Sequence, residues 1–220
     1  MSRPASRPRP VPGRGRAAVK RAFDLAVCLA ALPLLAPLLL ALALAVRLDS
    51  PGPALFRQTR VGRGGRLFRI HKLRTMHVND AAQAGGGPLL TAAGDARITR
   101  VGRWLRVTKL DELPQLIDVL RGDMSLVGPR PEVPRYMALY APEARARILS
   151  VRPGITDRAA IELRDEERLL AQAADPERFY VEQLMPLKQR HYLDYVASHS
   201  LAGDVRILWD TLRAVARRRG

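Results

Sequence analysis

The chain has 220 residues, enough for one domain with a real core and some appendages, and carries 37 Lys or Arg against 21 Asp or Glu, a formal net charge of +16. Such a balance calls for an anionic partner: nucleic acid, anionic lipid or a phosphorylated substrate. A single cysteine, Cys28, excludes an internal disulfide framework.

Residues 1–18, rich in Arg, Pro, Ala and Gly, read as a disordered basic tail able to touch anionic lipid. From Leu25 to Val46 run 22 residues without a charge; as a straight helix they span about 33 Å, roughly a bilayer core. Pro33 and Pro37 fall in the middle, where each removes a backbone hydrogen bond and bends the helix. Residues 1–21 carry seven Arg or Lys and no acid, and residues 47–74 carry nine basic residues, His71 among them, against Asp49 alone. A single span must place one basic flank outside, whereas a proline-broken hairpin keeps both in the cytoplasm, as the positive-inside tendency asks. The hairpin over 19–48 is favoured on that ground. A signal peptide cleaved among Ala41, Ala43 and Ala45 is the competing reading; the long apolar run and the basic chain that follows speak against it.

The rest of the chain, 49–220, reads as a cytosolic domain. DSPGP at 49–53 is a turn cluster. ALFRQTRVG and RLFRIHKLRTM alternate apolar and polar residues around Gly62-Arg63-Gly64-Gly65, a hairpin pattern. Residues 79–95 read as a mobile loop, 98–107 and 113–120 as helices, the latter stopped by Gly122. GDMSLVGPRPEVP reads as loop, and 134–149 and 176–199 as helices. In the final segment Val205, Leu208, Trp209, Leu212 and Val215 share one helical face with Arg residues mostly opposite. That pattern fits a helix lying flat on a membrane or one packed on the core. The fold class is α+β: mainly helical, with a small β-hairpin or sheet, an N-terminal re-entrant membrane helix-hairpin and interfacial amphipathic helices.

KLDELPQL, at 109–116, raises the question of chemistry. The fifteen residues before its acids hold five Arg or Lys and no acid, and then Asp111 and Glu112 stand side by side. A helix start explains this locally: Asp111 as N-cap, an acid in the first turn and Pro114 within it. The chemical reading is an ionised carboxylate at a helix N-terminus, ready to act as nucleophile or metal ligand. Arg103, Arg106, Lys109, Arg130 and Arg152 surround the pair in sequence, and guanidinium forks suit phosphate. A carboxylate pair among arginines, beside a membrane segment, points to a phosphate-bearing substrate with a divalent cation.

KRAFDLAVCLAALPLLAPLLL, RLDSPGP, FRQTRVGR, HKLRTM, LDELPQL, RGDMSLVGPRP and VRPGIT, in this order, resemble the bacterial sugar transferases, the monotopic polyprenyl-phosphate phosphoglycosyl transferases. The resemblance runs from about Lys20 to Thr156 and more faintly to the C-terminus. It implies that Asp111 attacks the β-phosphate of a UDP-sugar, releasing UMP, and that polyprenyl (undecaprenyl) phosphate then takes the phosphosugar from the enzyme. Glu112, second of the dyad, would assist; Mg²⁺ would sit on Asp111 and the diphosphate. Arg106 and Arg130 match phosphate-contacting arginines, with Arg74 and Arg152 as further substrate contacts, and Pro37 matches the proline that breaks the membrane helix. Cytoplasmic (inner) membrane lipids would be partners, with the site on the cytoplasmic face and no nucleic acid. The chain departs from many relatives at Ala36, Lys109 and DRAAIELRDEE, which leaves the sugar open. Two rivals stand beside this reading. A basic nucleic-acid binder fits poorly with 5% aromatic residues and basic residues that flank a membrane segment. An inactive scaffold would have lost Asp111, Glu112 or Arg130, and all three are present.

Overall fold

One helix of 36 residues, α1 (Arg14–Asp49), leads the computed structural model, which describes residues 14–78 and 89–217. The basic tail expected over 1–18 is therefore helical from Arg14, and the remainder of it lies outside the described residues, as does the 79–88 part of the expected loop. Helix α1 continues through Pro33 and Pro37. The break expected at Pro37 is thus not a gap between two helices; the prolines interrupt the hydrogen-bond ladder inside one. Among the described residues α1 alone is long and apolar enough to cross a membrane by length and composition. Its middle is uncovered, with Leu34 81% and Leu40 72% exposed.

Polar clamps hold both ends of α1 to the same body. Near the N-terminal end, buried Asp24 accepts from the Ser125 hydroxyl (2.7 Å) and the Leu126 amide (3.3 Å), and Lys20 pairs with Asp204 at 2.7 Å. Arg21 donates to the carbonyls of Val119 (2.6 Å) and Leu120 (3.0 Å), at the C-terminal end of another helix, where a cation meets orphan carbonyls and the negative dipole end. At the other end Arg74 holds Val46, Ser50, Pro51 and Pro53. Asp49 accepts from the Val101 amide at 2.9 Å.

The predicted hairpin is present: β1 (Leu55–Val61) pairs antiparallel with β2 (Leu67–Leu73), Phe56 opposite Lys72 and Val61 opposite Leu67. Two helices follow, α2 (Arg100–Thr108) and α3 (Gln115–Arg121), the second stopped at Gly122 in the left-handed region as predicted. Helix α2 lies tight on the chain leaving β2. A Cβ on Gly102 would sit 2.1 Å from the Thr75 carbonyl oxygen, so only glycine allows that approach.

GDMSLVGPRPEVP is not all loop. Ser125–Val127 forms β3, parallel to β4 (Gly154–Thr156), and a Cβ on Gly154 would meet the Gly128 amide nitrogen at 2.1 Å. A parallel pair needs a crossover, supplied by α4 (Pro134–Met137) and α5 (Pro142–Ile148). These replace the single helix expected over 134–149, because the residue before Pro142 is driven out of the helical region.

Beyond β4 come α6 (Arg158–Glu162), α7 (Glu166–Gln172), α8 (Pro176–Phe179), a π-helical stretch over Tyr180–Leu184, α9 (Met185–Ser198) and α10 (Leu201–Ala216). Helix α10 has two faces of different character. Asp204 and Ile207 are buried against the body, while Val205, Trp209 and Leu212 remain exposed, the last two at 54% and 63%. The core is continuous with the apolar helix α1: Cys28 packs with Phe68, Ile70, Val119, Met124 and Val127, and Leu42 and Val46 pack with Leu73 and Leu105.

Candidate active site

Asp111 and Glu112 sit where two helices are joined by a forced turn. Thr99 caps α2 by accepting from the Gly102 amide at 3.0 Å. The helix ends at Lys109, left-handed at φ 57°, and a 3₁₀ turn over Leu110–Glu112 redirects the chain into α3. Asp111 does not cap α3, contrary to the local expectation: Pro114 occupies the N-cap position. Instead the Asp111 side chain is 6% exposed, and its Oδ1 is buried with no hydrogen-bond partner.

Glu112 is held from two sides. Arg130 grips both of its oxygens, Nη1 to Oε2 at 3.0 Å and Nη2 to Oε1, and Lys72 Nζ lies 2.8 Å from Oε1. Burial raises the pKa of both acids, and the neighbours decide the outcome. At Glu112 the charges of Arg130 and Lys72 outweigh burial and hold the carboxyl well below its ordinary value. At Asp111 burial prevails: Lys72 offsets part of it, the Glu112 charge adds to it, and the pKa is raised. Two adjacent acids are thereby pushed apart, one a fixed counter-ion and the other an unpaired oxygen in a cleft.

Lys72 was not among the residues singled out by sequence, although HKLRTM contains it. It projects from β2 beside His71, whose amide (2.9 Å) and Nδ1 (2.6 Å) both meet the carboxylate of buried Asp118 on α3. That double contact locks strand to helix and so fixes the path of the chain at Lys72. The strand's alternation was the available signal, since it sets His71 and Lys72 on opposite faces.

Arg106 reaches the same cleft, with Nη2 to Glu167 Oε1 at 2.7 Å, Nη1 to Thr75 Oγ1 at 3.3 Å and a buried, unpartnered Nε. Asp111, Glu112, Arg106 and Arg130 are thus brought together. Arg74 and Arg152 stand differently: Arg74 lines the cleft with its guanidinium held by the chain, and Arg152 lies outside it. Arg74 is buried, and all three guanidinium nitrogens donate to oxygens between Val46 and Pro53, so its task is to fasten the end of α1. Arg152 does not line the cleft and donates Nε to the Gly122 carbonyl at 2.9 Å.

The cleft has a volume of about 1590 Å³ and two characters. Lys72, Asp111, Glu112 and Arg130 line it, and so do Val27, Ala31 and Leu35 of α1 and Leu208, Leu212 and Val215 of α10. It therefore joins a charged centre to an apolar flank on α1. Among the described residues no group of three or more His, Cys, Asp or Glu is placed to hold a metal. The donor set nonetheless fits Mg²⁺, which commonly takes one or two carboxylates and completes its shell with water and substrate phosphate. Asp111 Oδ1 is the free oxygen, since Glu112 is committed to Arg130 and Lys72.

The chain matches the bacterial sugar transferase family model over residues 15–218. It is 44% identical over 199 residues to the UDP-glucose:undecaprenyl-phosphate glucose-1-phosphate transferase of Caulobacter vibrioides, covering 88% of this chain and 68% of that protein. It is 40% identical over 204 residues to the exopolysaccharide production protein PSS of Rhizobium leguminosarum bv. phaseoli, covering 88% and 93%. It is 39% identical over 199 residues to the UDP-N-acetylgalactosamine-undecaprenyl-phosphate N-acetylgalactosaminephosphotransferase of Aeromonas hydrophila, covering 90% of this chain and 43%, less than half, of that protein.

Proposed function

The chain belongs to the bacterial sugar transferase family, and from that membership we propose that it moves a sugar 1-phosphate from a UDP-sugar to undecaprenyl phosphate. The reaction would be the first membrane step in assembling an exopolysaccharide, capsule, O-antigen or glycoprotein glycan, on the cytoplasmic face of the bacterial inner membrane. The observation that carries this reading is the unpartnered, buried Asp111 Oδ1 beside the Glu112–Arg130–Lys72 cluster, in a cleft that also reaches the apolar flank of α1.

In the first step an oxygen of Asp111 attacks the β-phosphorus of the UDP-sugar. The phosphorus–oxygen bond to the nucleotide breaks, and UMP leaves with the bonding pair, giving an aspartyl phosphosugar. In the second, an oxygen of the lipid phosphate attacks the same phosphorus and Asp111 departs as a carboxylate. Both partners are anionic, so Lys72, Arg106 and Arg130 must offset their charge as they approach the acid. Glu112 keeps Lys72 and Arg130 in place before substrate arrives. Mg²⁺, when bound at Asp111, would polarise the phosphoryl oxygens and stabilise the leaving phosphate. A covalent intermediate lets a soluble donor and a lipid acceptor use one site in turn.

The test is product identity. Full-length protein in lipid nanodiscs, given UDP-glucose or UDP-N-acetylgalactosamine with undecaprenyl phosphate and Mg²⁺, should release UMP in proportion to lipid-linked sugar. Release of UDP instead would mean transfer of the sugar without its phosphate and would sink the reading.

The membrane helix enters as a re-entrant segment in this proposal, with both ends on the cytoplasmic side. Its support is that basic residues flank the apolar run and that both ends of α1 are clamped to one body. Cysteines placed at the exposed positions Arg16 and Arg66 should both be shielded from a membrane-impermeant thiol reagent added outside spheroplasts. Labelling of the Arg16 position alone would establish a full span. Pro37→Leu, which restores a backbone donor mid-helix, should shift a fraction of molecules towards that spanning form.

A further inference from the structure

We infer that Arg60 is a second phosphate-binding residue of the cleft, separate from the Lys72–Arg130–Arg106 group and facing the same substrates; the inference rests on the transferase reading. Cross-strand partners share a face of the hairpin, so the pairs Phe56–Lys72, Gln58–Ile70 and Arg60–Phe68 place Arg60 on the same face as Lys72. Four residues separate the two positions along the strand, about 13 Å, which a guanidinium side chain directed back along the cleft can largely close. Arg60 lines the cleft together with Arg130 and Glu132.

Its guanidinium is incompletely hydrogen-bonded, as that of Arg106 is, but unlike Arg106 it has no acid beside it. Nη1 donates to the Pro131 carbonyl (3.1 Å) and Nη2 to Gln58 Oε1 (2.6 Å), while Nε is buried with no partner. Most other enclosed cations of the cleft are matched by acids, Lys72 and Arg130 by Glu112, Arg106 by Glu167, Lys188 by Glu166, while Arg74 has all three guanidinium nitrogens bonded to chain and Ser50 oxygens. No carboxylate lies within ion-pair distance of Arg60 among the described residues. Glu132 acts on it only from further away, because its carboxylate accepts from the Tyr180 hydroxyl at 2.9 Å. Burial correspondingly lowers the Arg60 pKa, with Glu132 offsetting part of the effect. An enclosed cation with a spare N–H and no counter-ion fits a phosphoryl oxygen. The reaction supplies two candidates beyond the phosphorus under attack: the α-phosphate that leaves with the nucleotide, and the phosphate of the lipid acceptor.

The experiment compares wild type, Arg60→Gln and Arg60→Lys as full-length protein in nanodiscs. One arm measures UMP binding in the presence of Mg²⁺ by the ligand-dependent rise in thermal midpoint. The other measures the KM for undecaprenyl phosphate in UMP release. Arg60→Gln should raise the half-saturating concentration about tenfold or more in one arm, with Arg60→Lys restoring it only in part, because an ammonium lacks the fork. A rise confined to UMP places the donor's α-phosphate at Arg60, and one confined to the lipid arm places the acceptor there. Values within twofold of wild type in both arms overturn the proposal, as does loss of the folded state in both variants, which would make Arg60 a structural residue only. A wild-type chain that bound UMP but released none from UDP-sugars would instead count against the transferase reading, and the UMP arm would still decide the role of Arg60.

Discussion

Asp111→Asn should abolish UMP release and the covalent adduct while leaving the fold as stable as before or more so. Without acceptor, the wild type should release about one UMP per chain and carry a hydroxylamine-labile phosphosugar on the Asp111 peptide, as an acyl phosphate requires. The Asn variant should lose more than about 10³-fold in rate, because an amide is neither nucleophile nor useful cation ligand. Stability should move the other way. Burial raises the Asp111 pKa, so the folded chain holds that proton more tightly than the unfolded chain does. Stability therefore falls as pH rises from the ordinary carboxylate value through the raised one. Asn removes that loss, and near neutral pH the midpoint should rise by about 2–4 °C, corresponding to about 1 kcal/mol. The gain should shrink as the pH is lowered through the raised value and vanish below about 4, where the acid becomes protonated in both states. A helix cap predicts a near-silent change on both counts, since Asn caps about as well as Asp. An active Asn variant, or an adduct on Glu112, would end the assignment.

That cap was the natural reading of DELP, and the reason it fails is tertiary. Local sequence shows an acid before a proline, but not that Lys109 adopts a left-handed conformation and leads into a separate 3₁₀ turn that tucks Asp111 inward ahead of α3. Features with a local cause were legible. The hairpin follows from alternation around Gly62–Gly65, the end of α3 from Gly122, and the long apolar helix from composition. Features set by distant partners were not. Arg74 and Arg152 look like any arginine near a phosphate motif, yet the carbonyls that claim them come from residues more than twenty positions away. Strands β3 and β4 are three residues each, too short for a period to register, and their pairing depends on two glycines meeting across a crossover. The dyad and Arg130 could be named from motif resemblance. That Glu112 is the counter-ion of Arg130 while Asp111 is left unpaired could be known only from where the side chains lie.

Arg130→Lys should fail to rescue activity, and the grip on Glu112 gives the physical reason. Arg130 contacts both Glu112 oxygens while also donating to the Ile155 carbonyl at 3.2 Å, a planar arrangement that one ammonium cannot reproduce. The expected loss is about 10²-fold or more in kcat/KM, the scale for removing a preorganised donor from a reacting phosphoryl group. Lys at near-normal activity would reduce Arg130 to a source of general positive potential. Stability supplies an independent readout. Glu112 is held well below its ordinary value near 4.5, so its contribution is present above that value and is lost as pH falls through the depressed one. Arg130→Met leaves Lys72 as the remaining partner of a mostly enclosed carboxylate, lets burial raise the Glu112 pKa, and moves the acid limb of unfolding to higher pH. At neutral pH the single variant should lose up to about 3 kcal/mol, the low end for breaking one side of a buried pair. Adding Glu112→Gln removes the stranded charge, so the double variant should recover most of that stability and none of the activity. Recovery of both would mean that the pair serves the fold alone, whereas stability without catalysis is what a counter-ion holding a phosphate clamp in place must give.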